Sequence, residues 1–445
     1  MKYVEQIKSI ALFLLIFLSL ALTFTIWTFT PSLDPIETTP AIDIALGETK
    51  TIEQVVQPLK VLYHYEDKVT GTVDRDQVDL LLNSMRQWQI NELTLVENEA
   101  SPGKMKSLMH EPNRTVLYYP STVPFPVFDT VMDIADSAVP EAAFDRLVVE
   151  WDALENNTSS IYFINSLSGR MYQGKLQSVE IESFRDNIIE QAANYPAYIT
   201  DETIGVLPIY VPEGPVDETS YTYLYEEIAV DRFAEGLFRG NNVEPAGNLL
   251  NGDYTDDTGA LLSSQQGSES INYVQPKAET PDPAIPSELL FNTFSFINDH
   301  GGWTNDYRYF GMEPIGQHIN YRLFLNNLPV FSLPNLSAEL EVEWGISEEI
   351  EQVFRYKRPT YVLESTGRTN AEEQASGKMV LAAFSRLKEE EKEAITEIIP
   401  SYELSRNSNE PDQLMVVKPA WHFKINGMWM KLSNEALGGG PFGLE

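Results

Sequence analysis

From Ile10 to Thr30 the chain runs for 21 residues without a charge. At 1.5 Å per residue a helix of that length spans roughly 30 Å, the thickness of a bilayer's hydrocarbon core. Lys2 and Lys8 precede the run, and Asp34, Glu37 and Asp43 follow it. The positive-inside rule therefore places residues 1–9 in the cytoplasm and everything after the span outside. A cleaved signal peptide is the competing reading, but its apolar region is shorter, and no small-x-small cleavage site follows here. Trp27 and Phe29 sit where interfacial aromatics hold a spanning helix. The expectation is a single-pass membrane anchor over 10–30. A proline-punctuated linker over 31–50 (Pro31, Pro35, Pro40) then lifts an extracytoplasmic domain off the surface.

What lies beyond the linker is large and acidic. Of 445 residues, 66 are acidic and 31 basic, a formal net charge of −35. Nucleic-acid backbones and anionic lipid surfaces need clustered Lys and Arg, so neither is expected as a partner. Cysteine is absent, which removes disulfides, thiolate zinc sites and cysteine nucleophiles. A hydrophobic content of 43% is enough for real cores.

Periodicity divides the domain into three α+β modules with antiparallel sheets. In the first, 51–195, Pro58–Tyr65 alternates like a strand, and Val78, Leu81, Leu82 and Met85 have helical spacing. Strands are expected at Thr115–Tyr119, Leu147–Trp151, Ile161–Asn165 and Arg170–Leu176, and a helix at Phe184–Ala193. The second, 196–336, reads as a strand at Ile204–Val211, a helix at Tyr225–Phe238, strands at Ala260–Ser264 and Ile271–Val274, and a helix at Ser287–Asn298. The third, 337–445, reads as strand Glu339–Trp344, helix Ile346–Phe354, strand Thr360–Glu364, helix Glu372–Lys388 and two closing strands. Hairpins echo one another: Tyr321–Phe331 turns at Asn326-Asn327, and Trp421–Lys431 turns at Asn426-Gly427, both pairs suited to positive φ. A looser hairpin turns at Leu167-Ser168-Gly169. Trp421 and Trp429, on the last hairpin, are expected to be buried.

A search for chemistry returns little. Ser101-Pro-Gly-Lys104 matches the S-x-x-K acylation signature, but Pro-Gly inside it disfavours the helix that serine must open, and a polar loop is expected instead. His64, His110, His300, His318 and His422 have no metal-ligand spacing. The acidic run Asp253–Gly259 lacks the alternating ligands of a calcium loop and reads as a solvated turn. No catalytic residue, metal or cofactor is expected.

Taken together, the basic N-terminus with one anchor, the run Asp253-Tyr-Thr-Asp-Asp-Thr-Gly before Ile271-Asn-Tyr-Val, and the closing Lys418-Pro-Ala-Trp-His-Phe-Lys-Ile-Asn-Gly-Met-Trp429 resemble the YycH regulatory proteins of Firmicutes over essentially the whole chain. The resemblance implies a three-module ectodomain whose last two modules are similar to each other and to those of the partner YycI. It also implies a membrane complex with YycI and the cell-wall sensor kinase WalK (YycG), whose activity it would modulate without being an enzyme. A homo-oligomer stays open. The alternative class is a wall-associated hydrolase or a ligand-binding receptor. On the anchor, Leu12, Leu15, Ile16, Ser19, Thr23 and Ile26 recur largely at three- and four-residue spacings along one side, with Ser19 and Thr23 as a small-xxx-small pair, so this side is the expected membrane contact.

Overall fold

The computed structural model describes Leu12, Phe13, Leu15, Leu18 and Ser19, and then residues 46–438 except 136–138, 152–159, 178, 239–241, 247–251, 266–268, 280–282, 335, 348–349 and 407–413. These first five residues are helical and exposed. Most of the expected membrane span lies outside the described residues. Among those described, no helix is long and apolar enough to cross a membrane. The described residues between 46 and 438 form one compact unit.

Eight strands build the first sheet: β1 (Lys60–His64), β2 (Val69–Thr72), β3 (Gln89–Glu97), β4 (Arg114–Pro124), β5 (Asp133–Ile134), β6 (Ala143–Glu150), β7 (Ser160–Asn165) and β8 (Arg170–Gln177). They lie in the order β2-β1-β4-β6-β7-β8-β3-β5. All are antiparallel except the two-residue β5, which runs parallel to β3. Every residue of β1 is buried, because both faces of the sheet are covered. One cover is α1 (Arg75–Met85). Asp74 caps it by accepting from the Gln77 N–H, and Val78, Leu81, Leu82 and Met85 turn inward as their spacing requires. The other is α2 (Pro102–His110), which seats Met105 and Met109 against Leu62, Val116 and Val148.

A short antiparallel pair, β9 (Tyr198–Thr200) and β10 (Tyr210–Pro212), leads into the second sheet. Its strands are β11 (Thr219–Glu227), β12 (Glu244–Pro245), β13 (Tyr254–Thr255), β14 (Leu261–Gln265), β15 (Ser270–Val274), β16 (Tyr307–Glu313), β17 (His318–Leu325), β18 (Leu328–Ser332), β19 (Glu339–Ser347), β20 (Ile350–Pro359), β21 (Tyr361–Ala371), β22 (Ile395–Arg406), β23 (Leu414–Ile425) and β24 (Met428–Lys431). The main path is β12-β13-β14-β15-β20-β19-β17-β18-β22-β23-β11-β21, with β16 on β17 and β24 on β23. Among the described residues of this sheet, only β18/β22 is parallel. Helices α3 (Val230–Leu237), α4 (Pro286–Asp299) and α5 (Gly377–Phe384) accompany it, and α4 starts with proline where its missing N–H costs nothing. The largest buried cluster is continuous from Leu117, Phe144 and Phe163 of the first sheet to Tyr309, Tyr321 and Tyr356 of the second. Tyr309 also donates its hydroxyl to the Thr122 carbonyl at 2.6 Å, tying β16 to β4.

The α+β class with antiparallel-rich sheets is as expected, and all three hairpins are present. Asn326 and Asn327 have φ of 44° and 67°, and Asn426 and Gly427 have 50° and 81°, so both turns take the left-handed conformations their residues favour. Four elements differ. Ile204–Val211 is mostly turn, with Gly205 at φ 79° breaking it and only β10 extended. Tyr225–Phe238 is strand to Glu227 and helix only over α3, because the Tyr- and Thr-rich start favours a pleated surface. Ile346–Phe354 is not a helix. Its apolar residues do recur at helical spacing, yet the segment ends β19 and begins β20, where the two strands pair with each other from Trp344–Val353 to Ser347–Ile350 and override the pattern. Glu372–Lys388 is helical only over α5. The boundary drawn between 336 and 337 falls within one sheet, since β17 pairs β19 and β18 pairs β22 across it. Trp421 is buried at 2% exposure, whereas Trp429 is only half-buried.

Candidate functional site

The residues expected to make the membrane contact come first in the chain. Leu12, Leu15 and Ser19 are helical and exposed, while Ile16, Thr23 and Ile26 lie outside the described residues. Residues 46–50, the last of the expected linker, are stitched to the body. Leu46 N–H donates to the His300 carbonyl at 3.2 Å, and Glu48 bridges Trp303. Asn298 grips both main-chain groups of Lys50: its Oδ1 accepts from the Lys50 N–H and its Nδ2 donates to the Lys50 carbonyl, each at 2.9 Å. A Cβ at Gly47 would meet the Gly301 and Trp303 carbonyls at 3.1 Å, so only glycine fits there without displacement.

Charge completes this clamp. Lys50 Nζ reaches Asp306 Oδ1 at 2.9 Å, Arg308 holds the other oxygen at 2.7 Å, and Arg75 of α1 approaches to 3.5 Å. Burial alone would raise the Asp306 pKa, but Arg308 and Lys50 outweigh it and hold the carboxyl down at about 2. For Lys50, burial dominates and lowers the pKa against the pull of Asp306. From inside, Arg358 (0% exposed) pins the same loop, donating to the Gly302 carbonyl at 2.9 Å and to Thr304 Oγ1 at 2.7 Å. The juncture thus joins residues 46–50, α1 and the second sheet in one knot.

A second charged cluster locks the two sheets together. Lys60 of β1 donates to Glu397 Oε1 of β22 at 2.7 Å and to the Tyr210 carbonyl at 2.8 Å. Arg146 of β6 reaches Glu397 Oε2 at 3.4 Å and Asp145 at 3.0 Å. Both cations lie over the Tyr118 ring, at 5.2 and 4.6 Å. Burial lowers the Lys60 pKa against the opposing pull of Glu397; for Arg146 the two carboxylates overcome burial and raise it. Nearby, His64, His110 and Tyr210 form a triangle of rings 5.1 to 5.3 Å apart. Desolvation depresses both imidazoles, His64 to about 4 and His110 to about 3. His422 stacks on Phe331 at 3.7 Å and shares a hydrogen bond with Ser401 Oγ at 2.7 Å.

The motifs read from sequence resolve as follows. Ser101 does open a helix, contrary to expectation. It caps α2 by accepting from the Lys104 N–H at 3.3 Å, and Pro102 at the first helical position favours the start. The Lys104 ammonium turns away to pair with Glu97. In the acidic run, Asp256 is buried, not solvated: its Oδ1 accepts from the N–H groups of Thr258 and Ala260 and from the Thr258 hydroxyl. Asp253 accepts instead from the Ser264 N–H. Among the described residues, no three or more His, Asp, Glu or Cys gather as metal ligands. Sequence reasoning missed both charged clusters. Lys60 carried a signal, a cation inside the strand-like run Pro58-Leu-Lys-Val-Leu-Tyr-His-Tyr65, whereas Asp306 and Glu397 carried none.

Comparison with known proteins places this geometry. A family model described as the YycH protein N-terminal domain matches residues 5–193, and one described as the YycH protein C-terminal domain matches residues 208–436. A curated relative, the two-component system WalR/WalK regulatory protein YycH of Bacillus subtilis (strain 168), is 20% identical over 448 residues, with 97% of each chain covered. The crystal structure of YycH from Bacillus subtilis matches with a TM-score of 0.70 at 17% identity, over 87% of this chain and 99% of that one, a likeness of fold.

Proposed function

This chain belongs to the YycH family, and on that premise we propose that it is a non-enzymatic regulator of a WalR/WalK-type two-component system. The observation that carries the reading is that the two domain models account for nearly the whole chain, in the family's order. The regulated component is the sensor kinase WalK, and the finer reading adds a YycI-type partner within the same membrane. Residues 10–30 anchor the chain with the N-terminus inside and the domain extracytoplasmic, and Leu12, Leu15, Ile16, Ser19, Thr23 and Ile26 form the membrane contact. The clamp at Lys50, Asn298 and Asp306 supports this reading, because it joins the chain emerging from the linker to α1 and the second sheet. The segments 51–195, 196–336 and 337–445 stand as proposed divisions, the last two sharing a sheet. The test is affinity capture of the full-length chain from native membranes. Recovery of the kinase, lost when residues 10–30 are exchanged for an unrelated anchor, supports the account; a capture without the kinase contradicts it.

A further inference from the structure

Three buried imidazole nitrogens have no hydrogen-bond partner among the described residues: Nε2 of His64 on β1, and Nδ1 and Nε2 of His110, which ends α2. The two rings stand 5.3 Å apart, and the Tyr210 ring of β10 packs on both, at 5.3 and 5.1 Å. Three elements thus meet at one contact built from uncharged rings. Its charged surroundings favour that state. Arg114 lies across from His64 on β4, Lys106 sits one turn before His110 on α2, and Arg146 of β6 acts on His110 as well. Burial comes first in holding the imidazoles neutral, and these cations add to it. The nearby carboxylates already pair with them: Glu111 and Glu150 reach Arg114 at 2.7 and 2.9 Å, and Glu202, between β9 and β10, reaches Lys106 at 3.0 Å. Tyr210 is neutral too, its hydroxyl pushed up to about 12 by burial. A proton taken up by either imidazole would create a buried charge beside other cations, which is costly.

Topology sets what gives way. Neither α2 nor the β9–β10 pair belongs to the eight-stranded or the fourteen-stranded sheet. Both lie as a cover on one face of the first sheet, where Met105, Met109, Tyr198 and Tyr210 pack with Leu62 and Val116. The cover is fastened at its margins: the Gly71 N–H donates to the Pro196 carbonyl at 3.0 Å, Thr70 bridges Ala197, and Lys60 donates to the Tyr210 carbonyl at 2.8 Å. Peripheral elements of this kind open at lower free energy than the sheets they rest on. We propose that His64, His110 and Tyr210 form an acid-sensitive latch. Protonation of the imidazoles releases α2 and the β9–β10 pair from the first sheet and bares the apolar face beneath, while both large sheets stay folded. The latch stands on the fold alone, whether or not the regulator reading holds.

The test is hydrogen–deuterium exchange of the full chain in lipid vesicles at about pH 7 and about pH 4.5, each corrected for the intrinsic exchange rate. The open form binds the protons, because the imidazoles titrate near 6.5 when exposed and at about 4 and about 3 when covered. Closure therefore weakens as the pH falls below about 6.5, each imidazole accounting for up to about a hundredfold in the opening equilibrium. Peptides from Pro102–His110 and Tyr198–Pro212 should open at least about a hundredfold more often at the lower pH, while those from β17 and β22 stay protected. A dye that brightens on apolar surfaces should bind the chain at about pH 4.5 and not at pH 7. His64→Leu with His110→Leu should keep the cover closed at both values; should that variant not fold, the wild-type exchange pattern decides alone. Equal protection at both pH values overturns the proposal. So does loss of protection in both sheets together with the cover, or a folded double variant that opens in acid as the wild type does.

Discussion

Lys60 and Glu397 are the residues whose loss should be felt most. Removing one member of a buried ion pair strands the other charge away from water, which costs about 3–5 kcal/mol. Glu397→Met strands both Lys60 and the Glu397-facing side of Arg146, so urea unfolding should show a drop of that size. Adding Lys60→Met should recover part of it, because an apolar pair no longer needs compensation; additive losses would show that the two do not act together. The imidazoles make a pH prediction. Folded His64 and His110 titrate at about 4 and about 3, below the ordinary value of 6.5, so between those limits the unfolded chain binds more protons. Their contribution is therefore complete above about pH 6.5 and is lost as the pH falls, at about 1.4 kcal/mol per pH unit for each. His110→Leu should flatten the slope of stability against pH between 6 and 4. A slope unchanged from the wild type would show that His110 is not held neutral by burial.

At the scale of elements, local chemistry is legible where it acts alone and illegible where neighbours decide. The Asn326-Asn327 and Asn426-Gly427 turns are readable because few residues tolerate a φ this far into the left-handed region. Asn327→Val should cost about 1–2 kcal/mol in thermal or urea unfolding, whereas Asn327→Gly should be nearly neutral; equal effects would mean the turn does not impose that φ. The segment Ile346–Phe354 shows the opposite case. Ile346, Ile350, Val353 and Phe354 fit a helical face, yet β19 and β20 fold back on each other as a hairpin from Trp344–Val353 to Ser347–Ile350, and that pairing settles the matter. The spacing of apolar residues in 346–354 does not by itself show that residues 344–347 and 350–353 pair with each other. The S-x-x-K reading fails in the other direction. Proline breaks helices in general, but directly after the cap it promotes a start. The candidate site is least legible of all, since Lys50 and Asp306 are 256 residues apart and meet only in the fold.

At the scale of the whole molecule, the chain behaves as two sheets sharing one core. Among the described residues, the strands of residues 60–177 form a sheet of their own, with a bridge from Thr70 out to Ala197. By contrast, a fragment beginning at Ser337 would separate β19 from β17, β22 from β18, β20 from β15 and β23 from β11. Such a fragment should show no cooperative unfolding transition by circular dichroism; a sharp one would restore the last segment as an independent module. The sheets are joined by the Lys60–Glu397–Arg146 lock, and residues 46–50 are joined to them at Lys50 and Asp306. That body is what the proposed regulator would present to its kinase. The most direct measurement is the autophosphorylation rate of the sensor kinase in lipid vesicles, with and without the full-length chain inserted beside it. The account predicts a change of several-fold in that rate, abolished when residues 10–30 are replaced by an unrelated anchor. A rate that is the same with and without the chain would contradict it.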